Sequence, residues 1–191
     1  RTSLVSALYD DLKNRIVPGK SDVFIFYSGH GMPDVDSKEA EKDAYLAPYD
    51  FRSSATKRTG IALNELYEQV EKFNAQSVTI VMDSCFSGIT EKGSLITGIS
   101  AVIEVSNPML RAKKGILFTA SSSKEAARWY DKKQHGLFTY YFLLGLKGKA
   151  DANGDGQIIK KELEDFVRRN VAEQSQYRQN PTAMGSLDAV M

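Results

Sequence analysis

Two residues of this chain have both the chemistry and the setting for covalent catalysis. Cys85 is the single cysteine among 191 residues, and it follows the apolar run Val78–Met82, which breaks off in Asp83-Ser84-Cys85-Phe86-Ser87-Gly88. His30 has a comparable place, because the run Asp22–Tyr27 stops at Ser28-Gly29-His30-Gly31. A cysteine attacks a carbonyl carbon as its thiolate, and a neighbouring imidazole favours that form and carries the proton to the leaving group. The tetrahedral intermediate then needs N–H donors with no side chain in the way. Gly31 and the amide of Cys85 itself are the natural donors. Each residue alone has a plainer reading, since a lone cysteine is usually a small buried hydrophobe and a lone histidine a satisfied polar group. Their shared placement in small-residue turns after apolar runs favours the pair. His135 precedes an apolar helix without such a setting and is expected to be structural.

Chemistry at two such turns requires strands that lie side by side. Apolar runs without alternation read as strands buried on both faces. There are three, at Asp22–Tyr27, Val78–Met82 and Gly115–Ala120, the last ending in the hydroxyl residues Ser121–Ser123. Helical spacing predicts helices over Ser3–Ile16, over 62–73 and over Ile158–Val171, while Gly136–Leu146 is apolar nearly all round and reads as a buried helix. Alternating strands and helices predict an α/β domain with a mostly parallel sheet and helices on both faces. Chemistry in such sheets collects beyond the carboxyl ends of the strands, which would gather His30, Cys85 and Ser121 on one edge. Residues 32–60 read as mostly looped apart from Ala44–Ala47, 88–114 as a long surface loop, and the tail from Ala172 as irregular.

Bulk properties bound the function without naming it. The length suits one domain, and the composition, 42% hydrophobic and 26% charged, is that of an ordinary globular protein. A formal net charge of +1 gives no bulk attraction to nucleic acid or anionic membrane. No apolar run approaches the roughly 20 residues that span a bilayer. One cysteine excludes an intrachain disulfide and fits a reducing compartment, so a cytoplasmic location is expected.

Phe26-Tyr27-Ser28-Gly29-His30-Gly31 and Met82-Asp83-Ser84-Cys85-Phe86-Ser87-Gly88 resemble the two catalytic motifs of the caspase-like cysteine peptidases, in particular the metacaspases and orthocaspases. Tyr45-Leu46-Ala47-Pro48, Phe118-Thr119-Ala120-Ser121, Gly136-Leu137-Phe138-Thr139 and Gln179-Asn180-Pro181 extend the similarity over nearly the whole chain. The resemblance implies a single peptidase domain over 1–191, with a large-subunit-like segment 1–87, a processing loop 88–114 and a small-subunit-like segment 115–191. It also implies a Cys85 nucleophile, a His30 general base and acid, and hydrolysis of peptide substrates through an acyl-enzyme. By the same resemblance Ser28 and Asp83, with Ser121, belong to the substrate pocket, and cleavage follows Arg or Lys. A carboxylate beside the nucleophile suits a cationic side chain; the plainer role for Asp83 is to cap backbone amides. Lys92, Arg111, Lys113 and Lys114 make 88–114 a candidate for self-cleavage, against the alternative of a basic solvated loop. The family's domain opens with a strand and helix not found before residues 1–20, so an additional N-terminal segment, or a regulatory domain or subunit, is an expected partner. The competing class is a catalytically idle caspase-like scaffold that binds other proteins, against which the intact His30 and Cys85 speak.

Asp151-Ala152-Asn153-Gly154-Asp155-Gly156-Gln157-Ile158-Ile159-Lys160-Lys161-Glu162 fits the EF-hand calcium loop. Asp151, Asn153 and Asp155 would present oxygens, Gly156 permits the sharp turn, Gln157 offers its carbonyl, and Glu162 closes the shell. Ile159 at the ninth position has no ligating side chain, and a solitary hand lacks its usual partner. A Ca2+ ion at 151–162 and an empty loop that merely keeps the turn are the two readings, and the chemistry at Cys85 requires no cofactor. A calcium-sensing interaction domain over 137–171 is a third functional class, disfavoured by the single imperfect hand.

Overall fold

The computed structural model describes residues 1–33, 43–86, 89–90, 93–94, 115–122 and 125–191. The amphipathic N-terminal stretch is helical as its spacing predicts. It runs as α1 (Thr2–Ser6), then a π-helical segment Ala7–Asp11 and a 3-10 turn Lys13–Arg15. Strand β1 (Asp22–Ser28) follows, and β2 (His30–Pro33), β3 (Ala44–Ala47) and β4 (Ile61–Ala62) form a small antiparallel sheet, with the one-turn helix α2 (Thr56–Thr59) before β4. Helix α3 (Leu63–Glu71) leads into β5 (Ser77–Asp83). The short pairs β6 (Ile89–Thr90) with β7 (Gly93–Ser94) come next, and most of the expected 88–114 loop lies outside the described residues. Strand β8 (Gly115–Thr119), the pair β9 (Trp129–Tyr130) with β10 (His135–Gly136), helix α4 (Leu137–Leu144), helix α5 (Lys160–Gln174) and β11 (Thr182–Gly185) complete the chain.

The main sheet has the order β1-β5-β8-β11. The first three strands are parallel, in the register Ile25↔Ile80 and Ile80↔Leu117, and β11 joins β8 antiparallel. Two apolar clusters cover its two faces, which makes three layers. Val23, Ile25, Ile80, Met82 and Leu117 pack with Leu66, Tyr67 and Val70 of α3 on one face, where the N-terminal helical stretch also lies. Val81, Ile116 and Phe118 pack with Phe138 and Phe142 of α4 and with Leu163, Val167 and Val171 of α5 on the other. Phe118 and Phe142 meet edge to face, ring centroids 5.3 Å apart. Burial of a Phe side chain contributes about 1.5–3 kcal/mol, so this pair anchors α4 to the strand beside the Cys85 strand. Among the described residues, no helix is long and apolar enough to cross a membrane.

Four expectations from the pattern need correction. β1 is not buried on both faces: Val23 and Ile25 are buried, but Phe24 and Phe26 are 53% and 47% exposed, because β1 is an edge strand and the α4–α5 layer leaves it uncovered. Helix α4 buries one face only, with Leu143 and the following Leu146 exposed. His30 opens a strand rather than lying in a loop. The C-terminal tail is regular as far as Gln174 and again in β11, whose short sequence Thr182-Ala183-Met184-Gly185 carries no strand signal by itself.

Candidate active site

Parallel pairing of β1 with β5 sets Tyr27 beside Met82 and Ser28 beside Asp83, so the two motifs leave the sheet together. The Gly29 amide donates to Asp83 O at 3.2 Å across the two strand tips. Tyr27 then fixes the next turn, its hydroxyl donating to His30 O at 2.8 Å and to Ala47 O at 3.2 Å. Burial raises the pKa of that phenol, and its bond to Ala47 opposes the rise in part. The hydroxyl therefore stays a donor, and the His30 main chain is held while its side chain faces solvent.

Gly31 shows how close the two motifs come. A methyl group at its Cα would run into the Phe86 ring and stand 2.7 Å from Cys85 O. Only a residue without a side chain fits, and the His30–Gly31 and Cys85–Phe86 segments are therefore in direct contact. Cys85 is half-buried, and Ala127 lies against its sulfur: Ala127 N donates to Sγ, with Ala127 O 3.9 Å from the same atom.

Asp83 points to the α4 face of the sheet and is 8% exposed. Its Oδ2 accepts the Thr139 hydroxyl, and the Thr139 amide in the first turn of α4 also donates to the carboxylate. Gly136, which precedes α4, packs so tightly on Oδ2 that a methyl group there would overlap it. Loss of hydration raises the Asp83 pKa, and the two Thr139 bonds offset only part of that. Asp83 is thus an N-terminal cap of α4 as well as a neighbour of Cys85. Ser28 is exposed at the tip of β1, on the same side of the sheet as Asp83 by register. Ser121, at the tip of β8, is buried and donates its hydroxyl to Glu125 O at 3.2 Å, shaping its own loop. Thr139 and Ala127 are the contacts that residue patterns missed. A small hydroxyl residue in the first turn of the apolar α4 was the available signal for Thr139; a main-chain amide leaves none.

A family model described as the caspase domain matches residues 4–190. The chain belongs to the caspase domain family. That membership makes it a cysteine peptidase in general terms and agrees with the mostly parallel α/β sheet. No curated protein matches the caspase domain described here.

The 151–162 loop of this caspase domain is drawn together by its own backbone. Asp151 Oδ1 accepts from Gly154 N at 2.7 Å and its Oδ2 from Gly156 N at 2.9 Å. Asn153 Oδ1 accepts from Asp155 N, and Asp155 Oδ1 from Gln157 N. Glu162 Oε1 accepts from Ala152 N at 3.2 Å and Oε2 from Ile159 N at 3.1 Å, so the twelfth residue folds back over the loop at the start of α5. Gly154 and Gly156 both have positive φ, 75° and 80°, as the turn requires. Among the described residues there is no group of three His, Cys, Asp or Glu side chains gathered as a metal site. A cation here would depend on Asn153 and the Gln157 carbonyl as well as on the carboxylates.

Proposed function

We propose that this caspase domain is a metacaspase-type endopeptidase that cleaves after Arg or Lys with a Cys85–His30 dyad. The contact of Gly31 with Cys85 and Phe86 supports it above all, because it makes two distant motifs one site. Cys85 attacks the scissile carbonyl carbon, while the amides of Gly31 and Cys85 face the developing oxyanion. His30 takes the thiol proton and returns it to the leaving amine, and then activates the water that releases the acyl group. Asp83, with Ser28 and Ser121 at the neighbouring strand tips, forms the end of the pocket for the basic side chain.

The finer elements of this reading rest on sequence. Self-processing would fall among Lys92, Arg111, Lys113 and Lys114, and the 151–162 loop would hold Ca2+ through Asp151, Asn153, Asp155, Gln157 and Glu162. A reducing compartment such as the cytoplasm suits a thiol nucleophile. The partners of this reading are a peptide or protein substrate and a further N-terminal segment or regulatory domain. The central test is labelling by an acyl electrophile carrying arginine. Stoichiometric labelling in the wild type that vanishes in Cys85→Ala, and falls steeply in His30→Ala, supports the dyad. Equal labelling of wild type and His30→Ala refutes it.

A further inference from the structure

Residues 125–128, which bring Ala127 onto the Cys85 sulfur, have no helix or strand of their own to hold them. They are fastened instead from both sides by two consecutive residues near the C-terminus. Two residues before Ala127, Glu125 accepts from Asn180 N through Oε2 and from Asn180 Nδ2 through Oε1, both at 2.7 Å. One residue after it, Arg128 N donates to Gln179 Oε1 at 2.9 Å. Gln179 is wholly buried at 0% exposure, and its Nε2 donates to Ala120 O at 2.8 Å. One side-chain amide thus accepts from one end of the 120–128 loop and donates to the other, which of the side chains of this length only an amide can do. The Gln179 main chain is pinned in turn, its N donating to Ser175 Oγ at 3.0 Å.

We propose that Gln179 and the Glu125–Asn180 pair are positioning residues that hold the Ala127 amide on the Cys85 sulfur and thereby favour the thiolate. The inference rests on Cys85 being the nucleophile of the proposed peptidase. The three act through Ala127, whose main-chain N–H lies directly against the sulfur, with its carbonyl oxygen 3.9 Å from the same atom. A donor to sulfur stabilises the charged form, and a displaced donor stabilises nothing. Among the described residues, the titratable and charged groups on the elements that meet at Cys85 are His30 on β2, Asp83 at the end of β5, and Glu125 and Arg128 beside Ala127. Of these, Glu125 gives the clearest discrimination. Loss of its charge alone would make the thiol more acidic, whereas loss of its hold on Asn180 would make it less acidic.

The experiment is the pH dependence of iodoacetamide alkylation of the single cysteine in the full chain, wild type against Glu125→Gln, Asn180→Ala and Gln179→Glu. Gln179→Glu keeps the acceptor for Arg128 N and loses the donor to Ala120 O; Asn180→Ala keeps its main-chain donor and so spares the fold. The half-maximal pH is expected to rise by about half a unit to one unit in each, with alkylation at neutral pH slowed about three- to tenfold. On an arginine peptide, kcat falls by a similar factor with KM little changed. A fall in the half-maximal pH of Glu125→Gln, or an Asn180→Ala profile that superimposes on wild type, overturns the proposal. Alkylation needs no peptide cleavage, so the two readings fail separately. Shifted profiles in a chain that cleaves nothing refute the peptidase and leave the positioning intact, and unshifted profiles in an active peptidase do the reverse.

Discussion

Replacing Asp83 by Asn separates the two roles that its position allows. The carboxylate is 8% exposed and already receives the hydroxyl and amide of Thr139, yet burial still holds its pKa above the usual carboxylate range. If it also receives an arginine or lysine from the substrate, the substitution removes a charge-assisted hydrogen bond, worth about 1.5–3 kcal/mol. That converts to a loss of about 10- to 150-fold in kcat/KM for a basic residue before the scissile bond. The assay is the ratio of kcat/KM for matched Arg and Gln peptides, in which changes at Cys85 and His30 cancel. Wild type should show the ratio falling as acid protonates Asp83; Asp83→Asn should show a low ratio that is flat with pH. The cap on α4 should survive, since the Asn carbonyl still accepts from Thr139, and the melting temperature at neutral pH should move little. The sign of the pH effect on stability is also fixed. The native state holds the Asp83 proton more tightly than the unfolded chain does, so this residue makes stability decline as pH rises from the ordinary carboxylate range through the raised native value. Asp83→Asn should lack that decline. An unchanged Arg/Gln ratio together with a lower melting temperature would show that Asp83 serves α4 alone and refute the pocket.

Two further outcomes test separate parts of the molecule. Gly31→Ala should drive a methyl group into Phe86 and Cys85 O, and acyl labelling of Cys85 should fall at least tenfold (on the order of 1.4 kcal/mol in the barrier); wild-type labelling in a folded variant would disprove the close approach. Calcium at about 100 times its Kd should stabilise the chain by about 2.7 kcal/mol in denaturant melts, and Asp151→Ala should abolish both this gain and the calorimetric heat. Heat unchanged in that variant would remove the loop from the account.

Strands β1 and β5, which lead into His30 and Cys85, were legible because the apolar runs at 22–27 and 78–82 are each ended by small residues. Helices α3 and α5 followed from their spacing. The same logic overreached at β1, since Phe24 and Phe26 are as apolar as core residues and nothing local says that α4 and α5 stop short of them. It fell short at β11, where pairing with β8 supplies an order that Thr182–Gly185 does not announce. At the candidate site, His30, Gly31 and Cys85 could be named from residue type and placement, and Asp83 chiefly from the family resemblance. Ala127 could not, because its contribution is a peptide N–H that any sequence possesses, and its location depends on Gln179 and Asn180 some fifty residues away. Thr139 was within a recognised stretch, but its bond to Asp83 needs the tight packing of Gly136 to exist at all.

The outer rim of β1 bears on how the protein behaves in a test tube. Among the described residues no strand pairs with its far side, and two phenylalanines stand exposed along it. Such a rim is a template on which other polypeptides can stack. Concentrated preparations should cloud with time, and a lysine in place of Phe24 should keep them clear without slowing the cysteine at the other end of the sheet.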